Sequence, residues 1–204
     1  MTFIKICGIT RFEDARAAVA AGANAIGFVL WPKSPRYVDA ARAREIAATL
    51  PASVTAVGVF VDQPADEVNE IARLVGLGAV QLHGAEDQAY AKQIVRPVVK
   101  AVTTGAGQEW PSDVRLLLDA HDPVRKGGTG KTIDWTIAAD IARHRDVILA
   151  AGLTPENVAG AIALVRPYGI DVSSGVETKP GIKDHGRITA LFEAVHGSHD
   201  ATRS

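Results

Sequence analysis

Eight short β-branched runs alternate along this chain with longer alanine-rich helical stretches, and that alternation limits the fold more than any other feature. Strands are expected at 3–7, 25–30, 54–60, 78–82, 97–102, 114–119, 146–151 and 168–172, and helices at 12–21, 40–49, 65–75, 86–95, 134–144, 155–165 and 184–195. The fifth helix is degenerate, because 105–113 holds Gly105, Gly107 and Pro111 and supports one turn at best. Alternating strands and helices imply parallel neighbours joined by right-handed crossovers. The segment 54–60 is apolar on both faces, as a parallel strand covered by helices should be. Eight such units close most economically into a single-domain α/β fold, a (β/α)8 TIM barrel over 1–196. The alternative is an open doubly wound sheet, which usually has fewer strands. At 204 residues the chain is short for a barrel and leaves little room for a second domain.

Local punctuation agrees with this order. Thr10 to Glu13 has the form of a capping box, and Thr154-Pro155 has the form of a helix start. The tail 197–204 has little apolar content and is expected to be disordered. The net charge of −1 carries no basic footprint for nucleic acid and no polybasic signal for membranes. Only one cysteine is present, so neither a disulfide framework nor a multi-cysteine zinc site is possible. The amino terminus lacks a signal-peptide pattern, and the cytoplasm is the expected location.

In a barrel, chemistry sits at the carboxyl ends of the strands and in the loops after them. Polar residues gather at those ends: Cys7 on the first strand, Gln81 and His83 on the fourth, Asp119 on the sixth, and Asp171, Ser173 and Ser174 on the eighth. Arg36 lies in the loop after the second strand. Each has a plainer reading. Cys7 could be a small buried hydrophobe, Arg36 a surface charge and His83 a helix cap. Alternation along the first strand puts Lys5 one layer below Cys7, and the same parity aligns Asp171 with Ser173 on the eighth. Closure makes the first and eighth strands neighbours, so an ion pair between Lys5 and Asp171 is expected. Otherwise Lys5 faces the helices and reaches outward to solvent.

Three glycine-bearing segments lie in the last third: 126–132 with Gly128 and Gly130, Ala151-Gly152, and Ser173-Ser174-Gly175. Glycines let backbone N–H groups approach a phosphate, and barrels often bind phosphate after strands seven and eight. Tight turns are the other reading. Gly130-Lys131-Thr132 fails as a Walker A loop because Arg125 occupies its first glycine position, and the dinucleotide pattern fails at Ile133. The segment reads as a mobile loop over a ligand.

The motifs at 5–10 (KICGIT), 32–36 (PKSPR), 58–60 (GVF), 80–84 (VQLHG), 117–119 (LLD), 127–132 (GGTGKT) with Asp134-Trp135, 152–157 (GLTPEN) and 171–177 (DVSSGVE) resemble the phosphoribosylanthranilate isomerase family. The resemblance runs from Thr2 to about Val195 and implies an Amadori rearrangement in tryptophan biosynthesis. It implies that Cys7 is the general base and Asp119 the general acid. Arg36 falls on the position that holds the anthranilate carboxylate; Gln81, His83 and Asp171 fall in the substrate site. Gly128, Gly130, Ala151, Gly152, Ser173, Ser174 and Gly175 fall on the phosphate loops. One departure is visible, because Ala151 stands where the family usually has glycine. The implied reaction needs no cofactor and no metal: oxidation at C2 balances reduction at C1 within one molecule. The expected partner is a small phosphosugar, with the chain a monomer or homodimer. The rival readings are the analogous isomerase of histidine biosynthesis, whose barrels tend to use paired carboxylates, and a silent phosphosugar-binding barrel.

Overall fold

A computed structural model describes residues 2–104, 106–107, 109–120 and 133–200, with side chains up to residue 197. Eight parallel strands form a closed barrel in sequence order: β1 (Phe3–Cys7), β2 (Ala25–Val29), β3 (Thr55–Phe60), β4 (Ala79–Leu82), β5 (Val98–Val102), β6 (Arg115–Leu118), β7 (Val147–Leu149) and β8 (Gly169–Val172). The helices are α1 (Phe12–Ala21), α2 (Ala40–Ala47), α3 (Ala65–Val75), α4 (Gln88–Ala91), α5 (Trp135–Ala142), α6 (Val158–Val165) and α7 (His185–Asp200). A hairpin of β9 (Glu177–Lys179) and β10 (Ile182–Lys183) follows β8. No helix among the described residues is long and apolar enough to cross a membrane.

The core has two layers. The larger joins the outer strand faces to the helices through Ile6, Phe28, Phe60, Leu82, Leu118 and Leu149. The smaller is Leu117, Ile148 and Ala150, with Phe3, Val99 and Ala101 against it. Its members share the inward parity of Cys7 and Asp119, so apolar side chains floor the barrel and polar ones crown it.

The fourth helix is shorter than its alanine-rich sequence suggests. Asn69 of α3 donates to the Gln93 carbonyl at 2.8 Å and accepts the Val95 N–H at 3.0 Å, diverting backbone groups that a longer α4 would use. Between β5 and β6 the described residues form turns and no helix. There Arg145 donates to the carbonyls of Gly107, Trp110, Pro111 and Val114, at 2.6–3.2 Å. The cation meets the polar demand that a fifth helix would have met internally. Neither helix start behaves as expected. The N-cap of α1 is Arg11, which makes no side-chain cap, while Thr10 donates to the Gly181 carbonyl at 2.6 Å. At α6 the helix begins after Asn157, whose side chain accepts the Thr154 N–H at 2.8 Å. The backbone of α7 runs on to Asp200, four residues into the expected disordered tail; residues 201–204 lie outside the described residues.

Candidate active site

Strand register places the first chemical groups. Lys5 stands opposite Asp171 across the β1–β8 seam, and the side chains meet, Nζ to Oδ2, at 2.9 Å. Both are nearly buried, with 3% and 8% of their side chains exposed. The ion pair that the parity of the two strands implies is therefore present. Burial works against the Lys5 charge, but Asp171 and the neighbouring Cys7 outweigh it and hold the ammonium above the ordinary lysine value. Replacing Lys5 by methionine leaves Asp171 buried without a counter-charge. Such losses cost about 3–5 kcal/mol. Thermal denaturation of Lys5→Met is expected to show a Tm fall of at least 6 °C, by the ~2 °C per kcal/mol of a domain this size. Adding Asp171→Asn should return part of it.

Cys7 ends β1 one layer above Lys5 and is buried. Its β2 partner is Gly27, and a Cβ there would lie 2.8 Å from the Cys7 sulfur and 3.0 Å from Lys5 Cε. The missing side chain is what lets the thiol and the ammonium share the interior. Burial pushes the Cys7 thiol up, and Lys5 draws it part of the way back.

Asp119 follows β6, where its Oδ1 accepts the Ala120 N–H at 2.8 Å. Its Oδ2 lies 3.2 Å from His83 Nε2, and His83 Nδ1 lies 2.9 Å from the side-chain nitrogen of the buried Gln81. Arg36 is gripped by Glu177 through Nε at 2.9 and 3.1 Å and through Nη2 at 2.8 Å. Lys183 of β10 donates to the same carboxylate at 2.8 Å and to the Ser173 carbonyl at 3.1 Å. Burial opposes the Glu177 charge, yet Arg36 and Lys183 hold its carboxyl below its usual range. Burial also draws Lys183 below the ordinary lysine value, against the pull of Glu177. Two cations around one carboxylate leave a net positive cluster beside the mouth, a suitable seat for an anion. Sequence reasoning gave Glu177 and Lys183 no role. Glu177 closes one of the quoted motifs, but Lys183 sits on a two-residue strand with no pattern of its own.

Cys7, Arg36, Gln81, His83, Asp119 and Asp171 line one cavity at the carboxyl ends of the strands, with Ala151, Gly152, Ser173 and Ser174 on its rim. Asp171 Oδ1 and Ser173 Oγ are buried there without a hydrogen-bond partner among the described residues. Nor do the N–H groups of Gly152, Ser174 and Gly175 bond to the described backbone. Gly175 lies in a one-turn 3₁₀ helix, where an added Cβ would overlap the Leu153 carbonyl oxygen; its bareness lets the loop after β8 press against the loop after β7. Gly128 and Gly130 lie outside the described residues, as does the expected loop over the ligand.

Ala151 keeps the backbone that glycine would favour: its φ is +67°, and that of Gly152 is +66°. The left-handed conformation costs an alanine about 1 kcal/mol. Ala151→Gly is therefore expected to raise Tm by about 2–4 °C in calorimetry.

A thiol, a carboxylate and an arginine converge on one cavity in the barrel mouth, the place where barrel enzymes carry their chemistry. Comparison with known proteins narrows the class. The family model for N-(5'-phosphoribosyl)anthranilate (PRA) isomerase matches residues 4–194. An N-(5'-phosphoribosyl)anthranilate isomerase of Pseudomonas fluorescens is 50% identical over 198 residues, covering 94% of this chain and 97% of that one. The phosphoribosyl anthranilate isomerase of Thermotoga maritima superposes with TM-score 0.88 at 42% identity, covering 97% of this chain and all of the other. Another solved isomerase, in complex with reduced 1-(o-carboxyphenylamino)-1-deoxyribulose 5-phosphate, has TM-score 0.84 and 40% identity, over 97% of this chain and 100% of that one. The chain belongs to the N-(5'-phosphoribosyl)anthranilate isomerase family.

Proposed function

We infer that this chain converts N-(5'-phosphoribosyl)anthranilate into 1-(2-carboxyphenylamino)-1-deoxyribulose 5-phosphate, the isomerisation step of tryptophan biosynthesis. Family membership supports the reaction. Among the structural observations, the one that carries it is the meeting of Cys7, Asp119 and Arg36 in a single cavity, beside backbone N–H groups that bond to no described backbone carbonyl.

Asp119 protonates the furanose ring oxygen, the C1–O bond breaks, and C1 becomes an iminium carbon. The Cys7 thiolate then takes the proton from C2, leaving an enolamine. Loss of the C2 hydroxyl proton and protonation of C1 give the ketone. C2 is oxidised, C1 is reduced, and no electrons leave the molecule. Arg36 holds the anthranilate carboxylate and Glu177 fixes the plane of its guanidinium. Gly152, Ser173, Ser174 and Gly175 receive the phosphate through backbone N–H groups and the Ser173 hydroxyl, with Ala151 beside them. Asp171, through its unpartnered Oδ1, meets a sugar hydroxyl. Each of these residues comes from one chain, so a monomer or a homodimer suffices. A catalytic free thiol suits a reducing compartment such as the cytoplasm.

Adding the protein to freshly made substrate should abolish the anthranilate fluorescence. Persistence of the signal at micromolar enzyme would overturn the assignment, and appearance of activity only with the histidine-pathway aminoaldose would favour that rival. Arg36→Met is expected to raise KM about 30-fold or more, since a charge-assisted bidentate contact is worth about 2 kcal/mol. The loss should be absent with a substrate analogue that lacks the carboxylate.

A further inference from the structure

The acid assigned to Asp119 meets a difficulty in the geometry around it. The described polar groups beside its two carboxylate oxygens are both nitrogens. The Ala120 N–H donates to Oδ1. With the Gln81 amide nitrogen donating to Nδ1, a neutral His83 ring would carry its proton at Nε2, which lies 3.2 Å from Oδ2. This arrangement suits a carboxylate, whereas the reaction needs a carboxylic acid. Behind it, Gln81 Oε1 is buried with no partner among the described residues. A half-turn of that planar amide would bring the oxygen against Nδ1 and require the ring to hold a proton there.

We propose that His83 loads Asp119 with its catalytic proton and that the Gln81 amide oxygen holds the second ring proton while it does so. The imidazolium passes its Nε2 proton to Asp119 Oδ2 and becomes the neutral ring protonated at Nδ1. Asp119 then gives that proton to the sugar ring oxygen, and Nε2 takes the next proton from solvent. A path for it exists: His83 and Asp119 also line a second cavity with Glu86, Lys100 and Trp110, and Cys7 is not among that cavity's described lining residues. Reloading can therefore proceed while substrate fills the first cavity. Among the described residues, the titratable and charged groups that line the two cavities with His83 are Asp119, the Lys100–Glu86 pair, Asp87 and Glu109 in the second and Cys7, Arg36 and Asp171 in the first. His83 thus acts through Asp119, as a positioning and proton-supplying residue. This inference rests on the isomerase reading.

His83→Gln keeps a polar side chain beside Asp119 but has no proton to give and take. It is expected to lower kcat about 100-fold, the scale of a proton-transfer contribution, with KM changed less than threefold. His83→Ala should lose a similar factor and regain activity with added imidazole, the rescued rate changing with imidazolium acidity across methyl-substituted imidazoles. His83→Ala with Asp119→Asn should show no such rescue. Gln81→Met, which lacks the amide oxygen, should lower kcat about tenfold. If His83→Gln keeps the wild-type kcat, or if imidazole restores nothing to a folded His83→Ala, the inference is wrong although the isomerase stands. If the wild type itself leaves the substrate untouched, the reaction assignment fails first.

Discussion

Cys7→Ala is expected to reduce kcat about a thousandfold or more while the protein stays folded and still binds the reduced product. The reason lies in the step proposed for the thiolate. Removing a proton from C2 of the iminium needs a base in contact with that carbon, and such groups contribute about 10² to 10⁴ in rate. A thousandfold loss corresponds to roughly 4 kcal/mol of barrier. Cys7 has the required position at the end of β1, inside the cavity and beside Lys5. Burial raises the proton affinity of the sulfur, which makes the thiolate a stronger base but a rarer one. The direction with pH follows. Only the deprotonated form works, so the Cys7-dependent limb of kcat/KM rises with pH and lies above the usual thiol range. Lys5→Met, by removing the cation, should move that limb further up; iodoacetamide alkylation of Cys7 should slow correspondingly at fixed pH. Retained turnover in Cys7→Ala would remove the thiol from the mechanism.

Asp119→Asn is the second large effect, with an expected loss of about 10² to 10⁴ in kcat. Asparagine keeps the shape and can still accept the Ala120 N–H that Asp119 Oδ1 accepts at 2.8 Å. It cannot deliver a proton to the ring oxygen. The expected signature is a fall in kcat with little change in KM, and unchanged affinity for the reduced product by calorimetry. A substrate supplied already ring-opened, if trapped as the Schiff base, should escape most of the defect. If Asp119→Asn keeps most of its turnover while Cys7→Ala is inactive, the acid is another group.

The order of elements was legible because it is written in local patterns. Alternation with period two marks a strand and 3.6 marks a helix, whatever lies across the barrel. From the eight repeats follow the closed sheet, its mouth, and the strand ends on which Cys7 and Asp119 stand. Parity together with barrel closure made the Lys5–Asp171 pair the expectation, and the structure holds it at 2.9 Å. Helix ends were less legible, because distant side chains compete for their backbone groups. Asn69 captures the residues that would have lengthened α4, and Arg145 replaces the fifth helix from the far side of β6.

Patterns along the chain were enough for the barrel, the edge where its polar groups gather and the family resemblance. How the polar groups at that edge are paired and buried depends on contacts that form only in space. The Arg36–Glu177 clamp joins residues 141 positions apart, and nothing local to either one selects the other. The contact of Asp119 with His83, the unpartnered oxygen of Gln81, the room left by Gly27 and the left-handed Ala151 exist only once the barrel closes. Periodicity is a property of neighbours along the chain. Burial, orphaned polar atoms and shared protons are properties of neighbours in space, and the closed sheet creates them.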